Sequence, residues 1–312
     1  MKVQDRITIC EVGLRDGMQI EKRILTVEEK LHMIHRLEEA GVTVIEVGSF
    51  MHPAAVPQMA NSDEVFRQLE QKPGIEYRAL VGNLKGVERA IACGCKKVKL
   101  NISASKGHNL ANINKLPLES MKSFPAQCDA ARSASLDVSG SIACPFGSPW
   151  EREIPVGDVK AIIDAYLSVD VTEISISDAP GMAMPMQVYH MMSELIQHYP
   201  ECKFILHFHN TRGMGIANIM AGMEAGVTWY DGSLAGTGGC PFVPGASGNV
   251  STEDIVHMCC EQGVETGIDL DRIIAAGHEL ERLMGHRGGS FVLRAGKNND
   301  ILLEQPTDAH CR

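Results

Sequence analysis

The chain has 312 residues, 44% hydrophobic and 22% charged with few aromatics, the make-up of a globular protein with an aliphatic core. Its 29 basic and 39 acidic side chains leave a formal charge of −10, which excludes a broad nucleic-acid surface and requires a local basic site for any anionic ligand. No apolar run approaches the ~20 residues needed to span a bilayer, and ten scattered cysteines without a signal peptide read as reduced thiols of a cytoplasmic protein.

The first β-rich run covers residues 7–12. A helix follows, opened by Thr26 and Glu29 as a capping box, with Ile34, Leu37 and Ala40 on its apolar face and Gly41 ending it. Further strands are predicted at residues 43–47, 77–81, 97–102, 137–143, 173–177, 204–209 and 228–233, each backed by a helical stretch. Gly41, Gly94, Gly226 and Gly263 each close a helix in the left-handed conformation. One more amphipathic helix spans residues 269–284, and nothing after about Leu303 shows a pattern. Eight strand–helix units predict an α/β fold, a (β/α)8 TIM barrel with an additional C-terminal helical segment. Residues 1–285 form the catalytic barrel, and 286–312 an extension and tail. A doubly wound sheet would carry a Gly-rich phosphate turn after its first strand, and Gly13-Leu14-Arg15-Asp16-Gly17 is not one.

Barrel enzymes work at the C-terminal ends of their strands, so polar residues there are the candidates. They are Glu11, Arg15 and Asp16 at strand one, Glu46 and Ser49 at strand two, Asn83 after strand three and Cys144 after strand five. Asp178, His207, His209, Asp231 and Ser233 complete the set. His207 and His209, two apart on a strand, point the same way, and with Asp16 they make a mixed nitrogen–oxygen set for a divalent cation such as Mg²⁺ or Mn²⁺. The carbonyl oxygen of Asn249 offers a fourth ligand. The competing reading has both histidines satisfied by backbone hydrogen bonds. Arg15, which cannot lose its proton, suits a carbonyl oxygen that becomes an enolate; alternatively it only neutralises Glu46 or Asp178. Cys240 sits in a Gly-rich loop after the last strand and carries a proton there if its pKa is lowered.

With these residues assembled, the chain resembles the 3-hydroxy-3-methylglutaryl-CoA lyase family of metal-dependent barrel lyases, from about Ile7 to Leu283. The carriers are Glu11-Val12-Gly13-Leu14-Arg15-Asp16-Gly17-Met18-Gln19, Val44-Ile45-Glu46-Val47-Gly48-Ser49-Phe50, Val56-Pro57-Gln58-Met59, Asn83-Leu84-Lys85-Gly86, His207-Phe208-His209 and the loop from Gly239 to Asn249. The resemblance implies Asp16, His207, His209 and Asn249 as metal ligands, Arg15 as the enolate-stabilising cation and Cys240 as a lid thiol. Cys240, His207 and Asp178 are the implied proton carriers, with Glu46 a supporting carboxylate. Gln19, Asn83, Ser105 and Ser141 join Arg15 as substrate contacts. The implied reaction is a retro-Claisen cleavage of an acyl-CoA to acetyl-CoA and a keto acid, in a homodimer that binds neither nucleic acid nor membrane.

Departures from the family pattern concern the substrate. Ser141 replaces a Tyr, Ser148 a Cys, Lys106 an acid and Asn210 an Asp. A different 3-hydroxyacyl group is therefore an alternative, such as a citramalyl-CoA-like ester. So is a Claisen-condensing synthase of the same superfamily, although such synthases usually open with Thr-Leu-Arg-Asp-Gly and carry a further domain. A non-catalytic barrel scaffold is the third reading, and the intact ligand set argues against it.

Overall fold

Eight parallel strands close into a barrel in sequence order, with β1 completing the ring against β8. They are β1 Thr8–Glu11, β2 Val44–Ser49, β3 Glu76–Val81, β4 Lys97–Ser103, β5 Asp137–Ala143, β6 Glu173–Asp178, β7 Lys203–Phe208 and β8 Trp229–Gly232. The computed structural model describes residues 4–239 and 248–301. Around the barrel lie α1 Val27–Glu39, α2 Ser62–Gln68, α3 Leu84–Ala92, α4 Lys106–Ile113, α5 Pro117–Met121, α6 Phe124–Ser133, α7 Val156–Leu167, α8 Pro185–His198, α9 Gly215–Ala225, α10 Thr252–Gln262, α11 Leu270–Met284 and α12 Val292–Ala295. The expected TIM barrel with added C-terminal helices is thus the observed fold.

Local signals act where the sequence puts them. Thr26 accepts from the Glu29 amide at 3.2 Å while Glu29 takes the Thr26 amide at 2.9 Å, the capping box of α1. Gly41, Gly94, Gly226 and Gly263 all have positive φ, as helix-ending glycines do. The departure from simple alternation lies after β4, where three short helices replace one. Asn114 takes the left-handed conformation and stops α4, and prolines in the first turns of α5 and α6 restart the helix twice. The described part of the C-terminal extension is docked against α10 at its start. Asp254 of α10 accepts from Ser290 Oγ and from the amides of Phe291 and Val292 at 2.8–3.1 Å, anchoring the start of α12.

Aliphatic residues of strands and helices fill the layer between barrel and shell. The barrel interior is different, because charged side chains cross it. Arg78 on β3 reaches Glu173 on β6 at 3.1 Å, and Lys99 on β4 reaches Asp231 on β8 at 3.7 Å. TIM barrels ordinarily fill this space with branched aliphatics. Buried Ser139 and Ser175 leave room here for the long cations, beside a small apolar layer of Cys10, Val44 and Ile205. Burial of so many charges is tolerated because each is paired. Among the described residues no helix is long and apolar enough to cross a membrane, and Cys10, Cys93, Cys95, Cys128, Cys202, Cys259 and Cys260 are free thiols.

Candidate metal centre

The site begins with a turn of unusual width. After β1 the carbonyl of Val12 accepts from the amides of Arg15, Asp16 and Gly17, closing a π turn over Gly13–Gly17. Buried Glu11 fixes this turn from below by accepting from the Gly13 amide at 2.6 Å, the Leu234 amide at 2.9 Å and the Thr252 hydroxyl. Burial pushes the Glu11 carboxyl up to about 7 against the pull of those donors. A β-carbon at position 17 would stand 2.2 Å from Thr237 Oγ1 and 2.8 Å from Ser233 Oγ, so only glycine lets the turn lie against that segment.

The π turn delivers Arg15 and Asp16 to the mouth of the barrel. Among the described residues Arg15 donates from Nε to Glu46 on β2 and from Nη1 to Asp16 Oδ1, and Nη2 has no hydrogen-bond partner there. Burial opposes the Asp16 charge, yet the Arg15 guanidinium beside it holds its carboxyl well below the usual carboxylate range. Likewise burial opposes the charge on Glu46, and Arg15 with Lys99 outweighs it. His207 is the last-but-one residue of β7 and His209 lies one residue beyond the strand, so both rings project to one side while Phe208 packs outward against Phe146. Their Nε2 atoms stand 3.8 and 3.5 Å from Asp16 Oδ2, and the three ligand atoms lie within 4.8 Å of one another.

Two neighbours complete the arrangement. Asp231 Oδ2 sits 3.0 Å from His207 Nδ1, which places a proton on that nitrogen and leaves Nε2 bare toward Asp16. Burial raises the Asp231 pKa, but Lys99 and His207 more than offset it and bring it down to about 2. Asn249 donates its amide to Asp16 Oδ2 at 2.9 Å and to the Thr237 carbonyl at 3.0 Å. Its Oδ1 is buried with no hydrogen-bond partner among the described residues. A buried carboxylate, two imidazole nitrogens and an uncommitted amide oxygen suit a divalent cation; a structural zinc site would offer thiolates. The residues fit the ion.

The model described as HMGL-like matches residues 6–279. The chain belongs to the HMGL-like family. Within that family it is 35% identical to the hydroxymethylglutaryl-CoA lyase of Bacillus subtilis over 285 residues, covering 91% of this chain and 95% of the relative. It is 39% identical to the human mitochondrial hydroxymethylglutaryl-CoA lyase over 290 residues, covering 93% and 89%. The solved HMG-CoA lyase of Acinetobacter baumannii, in complex with coenzyme A and 3-methylmalate, superposes with a TM-score of 0.92 at 38% identity, over 98% of this chain and all of that one. The family expectation drawn from the motifs therefore holds.

Of the residues singled out in the sequence, Arg15, Asp16, Gln19, Glu46, His207, His209 and Asn249 form one connected cluster, Gln19 through a 3.1 Å bond to Asp16. Asp178 lies alongside, but both its carboxylate oxygens accept loop amides, from Met182 and Ala183 at 2.9 Å. Asn83 caps α3 and Ser105 caps α4; Ser105 also contacts Ser148 and Glu151. Ser141 is buried on β5 between Asn101 and Ser175 in the register. Cys240 falls outside the described residues. Lys99 is a site residue beyond the sequence candidates, and Asp231, a candidate by position alone, gains its role from His207. The available signal was the alternation of Lys97, Lys99 and Asn101 with Val98, Leu100 and Ile102, which puts cations on the inner face of a barrel strand.

Proposed function

We propose that this protein is a divalent-metal-dependent lyase that cleaves 3-hydroxy-3-methylglutaryl-CoA to acetyl-CoA and acetoacetate. The observation that carries the reading is the buried Asp16–His207–His209 set at the barrel mouth with Arg15 clamped beside it. Family membership at this identity, and the coenzyme A and 3-methylmalate bound in the Acinetobacter baumannii relative, support an acyl-CoA ligand of this class.

In the proposed reaction the C3 hydroxyl loses its proton, the C2–C3 bond breaks, and its electron pair passes into the enolate of acetyl-CoA. Protonation at C2 then completes the products. Asp16, His207, His209 and Asn249 hold the cation, Mg²⁺ or Mn²⁺, which when bound polarises the substrate oxygens and eases loss of the hydroxyl proton. Arg15 is assigned to the thioester oxygen, where its fixed charge stabilises the enolate as it forms. Glu46 keeps the guanidinium in place. Cys240 on its Gly-rich loop is the proposed proton donor to C2, with His207 and Asp178 the other proton carriers, and Gln19, Asn83, Ser105 and Ser141 are assigned to the substrate. We also assign the protein to the cytoplasm as a homodimer.

Ser141 favours a second reading, in which the acyl group differs from methylglutaryl. Its buried hydroxyl stands on β5 where the family pattern carries an aromatic ring, a smaller side chain that suits a larger or displaced substituent. Acetyl-CoA release from a panel of 3-hydroxyacyl-CoA esters with Mg²⁺ present decides between the two. Turnover of the methylglutaryl ester at about 1–10³ per second supports the first; activity confined to citramalyl-CoA or a longer branched ester replaces it with the second.

A further inference from the structure

Lys99 is a cation that neither the metal nor the substrate assignment uses, and it is placed between the two. It lies midway along β4 with its side chain 3% exposed. Its Nζ contacts Glu46 Oε2 and lies 3.7 Å from Asp231 Oδ2. Each acid passes the connection on: Glu46 Oε1 takes Arg15 Nε, and Asp231 Oδ2 takes His207 Nδ1 at 3.0 Å. Through this one ammonium the arm that holds Arg15 is joined to the arm that holds His207.

At their outer ends Glu46 already faces the Arg15 guanidinium and Asp231 already accepts from the His207 ring. What Lys99 adds is a link across the barrel. Glu46 on β2 and Asp231 on β8 approach each other as like charges in a buried interior, and repulsion would spread them if the space between were empty of charge. Ser139 stands next to Lys99 in the strand register and is buried and small, which gives the lysine side chain room to extend across the barrel.

We infer that Lys99 is a positioning residue that holds the Arg15–Glu46 arm and the Asp231–His207 arm in fixed register, and thereby sets the guanidinium relative to the cation site. The inference rests on the proposed metal-dependent reaction but reads out separately from it. A misplacement of about 1 Å of a group at the chemistry lowers rate on the order of 10²-fold, and loss of a partner that orients a metal-binding imidazole lowers metal affinity about 10–100-fold.

The test is Lys99→Met in the full chain, checked for folding by circular dichroism and titrated with Mn²⁺ by calorimetry after chelator treatment. Its Mn²⁺ affinity falls about 10–100-fold, and at saturating Mn²⁺ its kcat falls on the order of 10²-fold while KM stays within about threefold. Lys97→Met is the control. Lys97 is a second inward-facing cation of β4, its side chain 11% exposed, whose partners Glu76 and Glu173 touch neither arm, so its loss lowers melting temperature without changing Mn²⁺ affinity. A folded Lys99→Met that binds Mn²⁺ and turns over within about twofold of wild type overturns the inference. A wild type that binds no Mn²⁺ overturns the metal reading beneath it. Should Lys99→Met not fold, Lys99→Gln is read in the same way; failure of both to fold while Lys97→Met folds makes Lys99 a structural cation and overturns its positioning role.

Discussion

Asp231→Asn isolates the hydrogen bond that orients His207. In the wild-type chain the carboxylate accepts from Nδ1 at 3.0 Å, so the imidazole is held in the tautomer whose Nε2 lone pair faces Asp16. Asparagine presents either a neutral oxygen, which keeps the tautomer but removes the charge, or an NH₂, which drives the ring proton onto Nε2 and blocks it. Both outcomes weaken the site. Partners of this kind are worth about 10–100-fold in metal affinity, or about 1.4–2.7 kcal/mol. Lys99, 3.7 Å away, also loses one of its two acids, which places the expected change toward the upper end. Mn²⁺ titrated calorimetrically into chelator-treated wild type and variant measures the ratio directly. A dissociation constant within about twofold of wild type, in a variant with unchanged circular dichroism, would refute the assigned tautomer and the role given to Asp231.

Three other perturbations probe separate parts of the account. Gly17→Ala forces a β-carbon to within 2.2 Å of Thr237 Oγ1, so the π turn shifts; a loss of about 1–3 kcal/mol in chemical denaturation and a drop in kcat on the order of 10²-fold are expected, and wild-type values for both contradict the packing argument. Burial works against the Glu173 charge, but Arg78 and the neighbouring lysines bring its pKa from 4.5 down to about 2. A depressed carboxylate stabilises the fold above its unfolded pKa and releases that stability as pH falls through the folded one, so melting temperature drops between about pH 4.5 and 2. Glu173→Gln should flatten that limb in a pH series of thermal melts, and an unchanged limb assigns acid unfolding elsewhere. Cys240→Ser is expected to lower turnover by orders of magnitude with Mn²⁺ affinity intact, and near-normal acetyl-CoA release removes the thiol from the proton path.

Much of the site is readable in the chain because its signals are local. His207 and His209 share a face by the period of two of a strand, and Arg15 with Asp16 follows directly on the first apolar run. The rest depends on contacts that sequence spacing does not encode. Lys99 matters because its side chain crosses the barrel to Asp231, 132 positions away in the chain, with a small serine beside it. The π turn at Gly13–Gly17 has no propensity signature, since it is set by Glu11 and by the approach of Thr237. Asn83 and Ser105 show another limit. Small polar residues at strand–helix junctions serve equally as helix caps and as ligand contacts, and both of these cap helices. After β4 nothing in the apolar pattern marks the left-handed turn at Asn114 that ends α4 and splits the helical stretch.

The central claim is that Asp16, His207 and His209 hold a divalent cation required for carbon–carbon cleavage. The most direct measurement is acetyl-CoA release from 3-hydroxy-3-methylglutaryl-CoA by chelator-stripped protein as Mn²⁺ is added back, with Asp16→Asn run in parallel. The account predicts no release from the stripped protein, saturable recovery in the wild type and none in the variant. Full turnover by the stripped protein, or recovery of Asp16→Asn at the wild-type Mn²⁺ concentration, would contradict it.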